Sequence, residues 1–162
     1  PGARGTTVVI FVDSNEAAHN PMLVALLRRK VEVHVTPLAS GDIAFWGMIG
    51  GQKLRVGIEL KQTPDDLIGS LRDGRLITQL PTMTEEYDFP YLVEVGEPVL
   101  VDLAMETLAE TAWGDVSTAT RFPFHFLNSI LARFEISGGR IRNVRDTEHL
   151  ALFIHSLQLI PC

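Results

Sequence analysis

Val8 to Val12 (VVIFV) is an unbroken run of β-branched and aromatic residues, the pattern of a strand covered on both faces. Asn20 then has the chemistry of a helix N-cap, and Pro21 suits the first helical position. PMLVALLRRK follows, with its basic residues at the end the helix dipole favours. Val31 to Thr36 alternates as a strand, placing Glu32 and His34 on one face and Val31, Val33 and Val35 on the other. Ile43 to Met48 and Lys53 to Leu60 are two further strands around Gly50-Gly51, a dipeptide suited to a hairpin turn. Phe45 and Trp46 fall on opposite faces of the first, so at least one belongs to the core; a base-stacking role is the lesser reading of either. Tyr91 to Val95 is another strand, whereas Val99 to Leu108 mixes apolar and acidic residues too loosely to assign. Phe122 to Phe134 has helical spacing and ends at Gly138-Gly139. Arg140 to Val144 predicts a last short strand, and Asp146 caps a helix from Thr147 to about Leu157. Strands alternating with helices predict an α/β domain with a central mixed β-sheet flanked by helices.

Composition narrows what such a domain does. With 162 residues, 46% hydrophobic and 21% charged, the chain fits one globular domain spanning 1–162. No apolar run reaches the length of a membrane span, and no charged-then-apolar leader opens the chain, so a soluble, intracellular protein is expected. Cys162 is the only cysteine, which excludes an internal disulfide framework and a cysteine-based zinc cluster. His34 reads as an exposed strand residue, a ligand role being the lesser reading, whereas His125, His149 and His155 show no carboxylate spacing that suggests zinc and are expected to be structural or surface residues. The formal charge of -6 lacks the basic excess of a protein held to nucleic acid by phosphate contacts alone. A nucleic-acid substrate would require bound cations or local basic patches.

Candidate chemistry centres on Val56 to Leu80. Glu59 and Lys61 stand two apart on a strand and so share a face, while Leu60 points the other way. Because hairpin partners are antiparallel, Asp42 at the start of one strand lies beside Glu59 and Lys61 at the end of the other. Two hard oxygen ligands such as Asp42 and Glu59 can hold Mg²⁺, or Mn²⁺ in its place, and leave positions for water and phosphate. Lys61 can then orient the water or neutralise transition-state charge. Taken alone, Glu-x-Lys is weak, since a strand-edge ion pair is the commoner explanation. It gains weight because lysine occurs only three times against eleven arginines, and nowhere else does an acid stand two before a lysine. Asp13 and Glu16 end the first strand, where open α/β sheets bind ligands; a solvated polar turn explains them equally well.

These residues carry a family resemblance. Val12-Asp13-Ser14-Asn15-Glu16, Gly41-Asp42, Val56-Gly57-Ile58-Glu59-Leu60-Lys61, Asp65-Asp66-Leu67, Asp73-Gly74-Arg75 and Gln79 resemble, in order, the nuclease domain of the XPF-type structure-specific endonucleases. That domain belongs to the P-D-(D/E)-x-K superfamily. The resemblance is strong over Val8 to Val95 and implies a restriction-endonuclease-like fold. It implies a Mg²⁺-dependent endonuclease cutting branched or junction-containing DNA, a possible homodimer partner, and no membrane role. It makes Asp42 and Glu59 the metal ligands, helped by the Leu60 carbonyl; Lys61 assists the water, and Asp13 and Glu16 line the site as outer or second-metal ligands. Arg75 and Gln79, spaced i, i+4, are substrate-binding candidates, with a salt bridge from Arg75 to Asp73 as the bland alternative. Two departures stand out, Leu60 and Asn15, where the family places arginines. The family's last aspartate is Asp65 counted from the lysine and Asp66 counted from the leucine. The family's helix-hairpin-helix domain is not visible in this chain. An inactive DNA-binding or dimerisation partner and an end-processing exonuclease are the alternatives.

Overall fold

A computed structural model describes residues 8–49, 51–97, 100–101, 106–108 and 121–158. The chain runs β1 (Val9–Asp13), α1 (Ser14–His19), α2 (Pro21–Arg28), β2 (Glu32–Thr36), β3 (Ile43–Ile49) and β4 (Gln52–Thr63). It continues through α3 (Asp65–Arg72), α4 (Arg75–Glu86), β5 (Phe89–Gly96), β6 (Leu100–Val101), β7 (Glu106–Leu108) and β8 (Arg121–Pro123). It closes with α5 (Phe124–Ile136), β9 (Arg140–Val144) and α6 (Thr147–Gln158). Six strands form one mixed sheet in the order β2-β1-β3-β4-β5-β9, and β6, β7 and β8 form a small antiparallel one. In the large sheet only β3 runs against the others.

Alternation on the strands sorts the core into two layers. Ile10 and Val12 of β1, Phe45 of β3 and Ile58 and Leu60 of β4 face Leu23 and Leu27 of α2 and Leu150 and Ile154 of α6. On the other face Ala44 and Leu92 meet Leu67 and Leu71 of α3, Leu76, Leu80 and Met83 of α4, and Leu127 and Phe134 of α5. Phe45 is the core member of the Phe45-Trp46 pair, and Trp46 is exposed.

Several elements differ from the sequence expectation. The polar stretch after β1 is the six-residue helix α1, capped by Asp13, whose side chain accepts from the Asn15 N–H. The segment after Pro64, left unassigned by the periodicity, forms two helices, because Gly74 takes φ 78° and turns the chain. Residues 121–123 form β8, so α5 starts at Phe124 and runs on to Ile136. Val33 is buried, but Val35 is exposed because β2 is the outermost strand with a neighbour on one side only. The predicted caps hold: Asn20 accepts from Leu23 N, Asp146 from His149 N, and Gly138 closes α5 at φ 98°. Gly51 takes a positive φ at the hairpin, whereas Gly50 and the His125 side chain lie outside the described residues. Among the described residues no helix is long and apolar enough to cross a membrane.

Candidate active site

Asp42 is fixed by the strands on both sides of it. Gly41 turns the chain at φ 79°, and a Cβ there would press on the Met83 sulfur at 3.1 Å. The Asp42 N–H then donates to Ile58 O at 2.8 Å, its carbonyl accepts from Asp13 N at 2.8 Å, and its Oδ2 accepts from Leu60 N at 2.7 Å. Register pairs Ile43 with Ile58, so Asp42 arrives beside Glu59. Glu59 and Lys61 are 5% and 3% exposed and meet at 3.5 Å between Oε1 and Nζ. An ordinary strand-edge ion pair would lie in solvent; burying one costs several kcal/mol per ion before the pairing offsets it. Leu60 points into the opposite core layer, so the residue in the family's arginine position does not enter the site from its side chain.

The electrostatics call for a cation. Burial, followed by the nearby Glu59 carboxylate, pushes the Asp42 carboxyl up to about 8. Glu59 is also raised, by burial first, with Lys61 acting against the shift and Asp66 and Glu16 adding to it. Glu16 is raised by burial and by Asp66, and an Asn20 amide donates to it at 3.4 Å. Lys61 is therefore one ammonium among four mutually repelling carboxylates.

A cleft of ≈ 390 Å³ opens here, lined by Asp13, Asp42, Glu59 and, from α4, Thr78, Gln79 and Thr82. Gln79 Oε1 is buried in its wall without a hydrogen-bond partner. Asp13 holds backbone with both oxygens, Oδ2 accepting from Asn15 N at 3.0 Å and Oδ1 from Leu38 N at 2.9 Å. Of the two candidate aspartates, Asp66 belongs to the cluster: its Oδ2 accepts from Gln62 N at 3.2 Å, whereas Asp65 is exposed. Arg75 takes the bland alternative. Its Nε donates to Asp73 Oδ2 at 2.7 Å in solvent, and Asp66 lies 4.0 Å away. Among the described residues no three His, Cys, Asp or Glu side chains form a ready metal cage. Two carboxylates and an orphaned amide oxygen instead suit a hard cation that keeps several waters, as Mg²⁺ does. A cavity of ≈ 400 Å³ between α2 and α6 holds a single carboxylate, Glu148, and lacks this convergence.

One positioning residue, Tyr87, was not apparent from the sequence. The Tyr87 ring lies flat on Gly57, where a Cβ would come within 2.3 Å, and its hydroxyl donates to Ser40 O, bracing the loop that delivers Asp42. A glycine inside a strand was the available signal, since it marks close approach of another group.

The ERCC4 domain family model matches residues 12–157. Among solved structures, XPF from Aeropyrum pernix in complex with DNA superposes with a TM-score of 0.63 at 24% identity, over 93% of this chain. XPF from Aeropyrum pernix without DNA gives 0.62 and 23% over the same share. The chain spans 63% of the length of each. At that identity the likeness establishes the restriction-endonuclease-like fold. No curated protein sequence matches the chain. With the motif order, the sheet and the family match in agreement, the chain belongs to the ERCC4 domain family.

Proposed function

We propose that the chain is a divalent-metal-dependent DNA endonuclease that cuts branched or junction-containing DNA, and the observation that carries this is the convergence of half-buried Asp42 with the buried Glu59-Lys61 pair. Asp42 and Glu59 would hold Mg²⁺, or Mn²⁺ in its place, with the Leu60 carbonyl as a further oxygen. Asp13 and Glu16 would act from the rim. When bound, the metal supplies a Lewis acid and lowers the pKa of a bound water. Lys61 would orient the attacking water and offset charge on the phosphate. Gln79, whose amide oxygen is unpaired in the cleft wall, and Arg75, paired here with Asp73, would contact the substrate. Residues 1–162 act as one nuclease domain, and pairing of two copies follows the family's habit.

Labelled linear, flap, fork and four-way DNA, incubated with Mg²⁺ or EDTA, tests this. The wild type should cut the branched substrates only with metal, and Lys61→Ala should lose about 10²-fold or more in rate. Equal cutting by Lys61→Ala sinks the assignment, and cutting solely from free ends points to an exonuclease. A metal-independent binder with no cutting favours an inactive partner, the reading that Leu60 and Asn15 in place of the family arginines would support.

A further inference from the structure

The sheet face that carries Asp42 and Glu59 extends beyond the cleft. Paired residues in a sheet share a face, so Phe11 of β1, His34 of β2, Trp46 of β3 and Arg55 of β4 all point to the same side as Glu59. Helices α3, α4 and α5 pack against β4, β5 and β9. Toward β1 and β2 the face is open: Trp46 is 47% exposed, and half-buried Phe11 stands 5.8 Å from the exposed ring of His34. A groove of ≈ 280 Å³ runs past Phe11, Leu38, Trp46 and Arg55. Leu38 also lines the acidic cleft, so the groove and the cleft adjoin at that residue.

The groove has a different charge from the cleft. Lys53 Nζ sits 4.9 Å above the Trp46 ring and has no carboxylate partner among the described residues. Arg55 rests on the Tyr87 ring at 4.9 Å and pairs with Glu86 at 3.0 Å. An exposed indole beside cations, adjoining the acidic cleft, matches the stacking platforms on which proteins hold single strands. Paired bases hide their faces within the duplex, so a platform of this kind selects unpaired nucleotides.

Building on the endonuclease reading, we propose that this groove holds the unpaired DNA strand next to the scissile phosphate, with one base stacked on Trp46 and its phosphates met by Lys53 and Arg55. Trp46 lies four residue steps along the chain from Asp42, about 13 Å at ~3.3 Å per residue.

Binding in EDTA separates this proposal from catalysis. The chain has two tryptophans, Trp46 and Trp113, and a Trp113→Phe background leaves Trp46 as sole reporter. Short oligothymidylate should quench its emission to saturation, and a duplex of the same length should not. By anisotropy of labelled single strand on the otherwise unaltered chain, Trp46→Ala should weaken binding about 10-fold, as loss of one stacked base would. Trp46→Phe should restore most of it, with unchanged thermal melts for both. Wild-type affinity in Trp46→Ala, or quenching by duplex equal to that by single strand, would overturn the proposal. So would a concentration-dependent self-association that Trp46→Ala abolishes without any effect on DNA. If the single strand quenches Trp46 but no metal-dependent cutting occurs, the platform stands and the endonuclease reading falls.

Discussion

Asp42 accepts one backbone bond on its side chain and makes two through its own backbone, yet its carboxyl sits well above the ordinary 3.8. The shift has a definite sign for stability. A carboxyl whose folded value is raised binds its proton more tightly in the folded state, so its contribution is fully present below the ordinary value and is lost as pH climbs toward about 8. Glu59 is shifted in the same direction. In EDTA the melting temperature should therefore fall as pH rises from roughly 5 to 8, each unmatched proton costing up to about 1.4 kcal/mol per pH unit and ~2–4 °C per kcal/mol. Asp42→Asn keeps an acceptor for Leu60 N–H and should flatten that slope. Adding Mg²⁺ at pH 8 should raise the wild-type melting temperature and leave Asp42→Asn nearly unmoved. A wild-type melting temperature that rises with pH in EDTA would contradict this account of the carboxylate cluster.

At the level of elements, the Ser40–Asp42 loop depends on a ring packed against a bare stretch of β4. Gly57→Ala should displace Tyr87, lower stability by about 1–3 kcal/mol and reduce cutting along with it. Tyr87→Phe, which loses only the hydroxyl bond to Ser40, should show the milder defect in both a denaturant titration and a cleavage assay. The strands were readable because apolar alternation and turn glycines place β1, β3, β4 and β5, and with them Asp42, Glu59 and Lys61. The period-based reading failed where a helix was too short to show a period, as in α1, or where the helical spacing runs back into a short flanking strand, as at Phe122 and Pro123. The choice between Asp65 and Asp66 depends on how α3 is rotated over β4, which no spacing rule determines. Burial of Lys61 likewise depends on tertiary covering, and only its rarity hinted at it.

Across the whole molecule, 14 basic against 20 acidic residues leave a charge of -6, so attraction to DNA must be local. If Lys53 and Arg55 supply the phosphate contacts of the groove, single-strand affinity should fall with salt at a log–log slope of about -1.4, two contacts at ~0.7 each. Fluorescence titrations over a KCl series measure that slope, and a value near -4 would place further contacts elsewhere on the surface. The lone reversed strand, β3, brings Asp42 in at one end and Trp46 partway along the same rigid rod. With a base anchored on Trp46, β3 becomes a measuring stick. At the ~3.4 Å spacing of stacked nucleotides its ~13 Å reach corresponds to about four of them, so the cut would be set by counting from the held base rather than by reading the sequence around it.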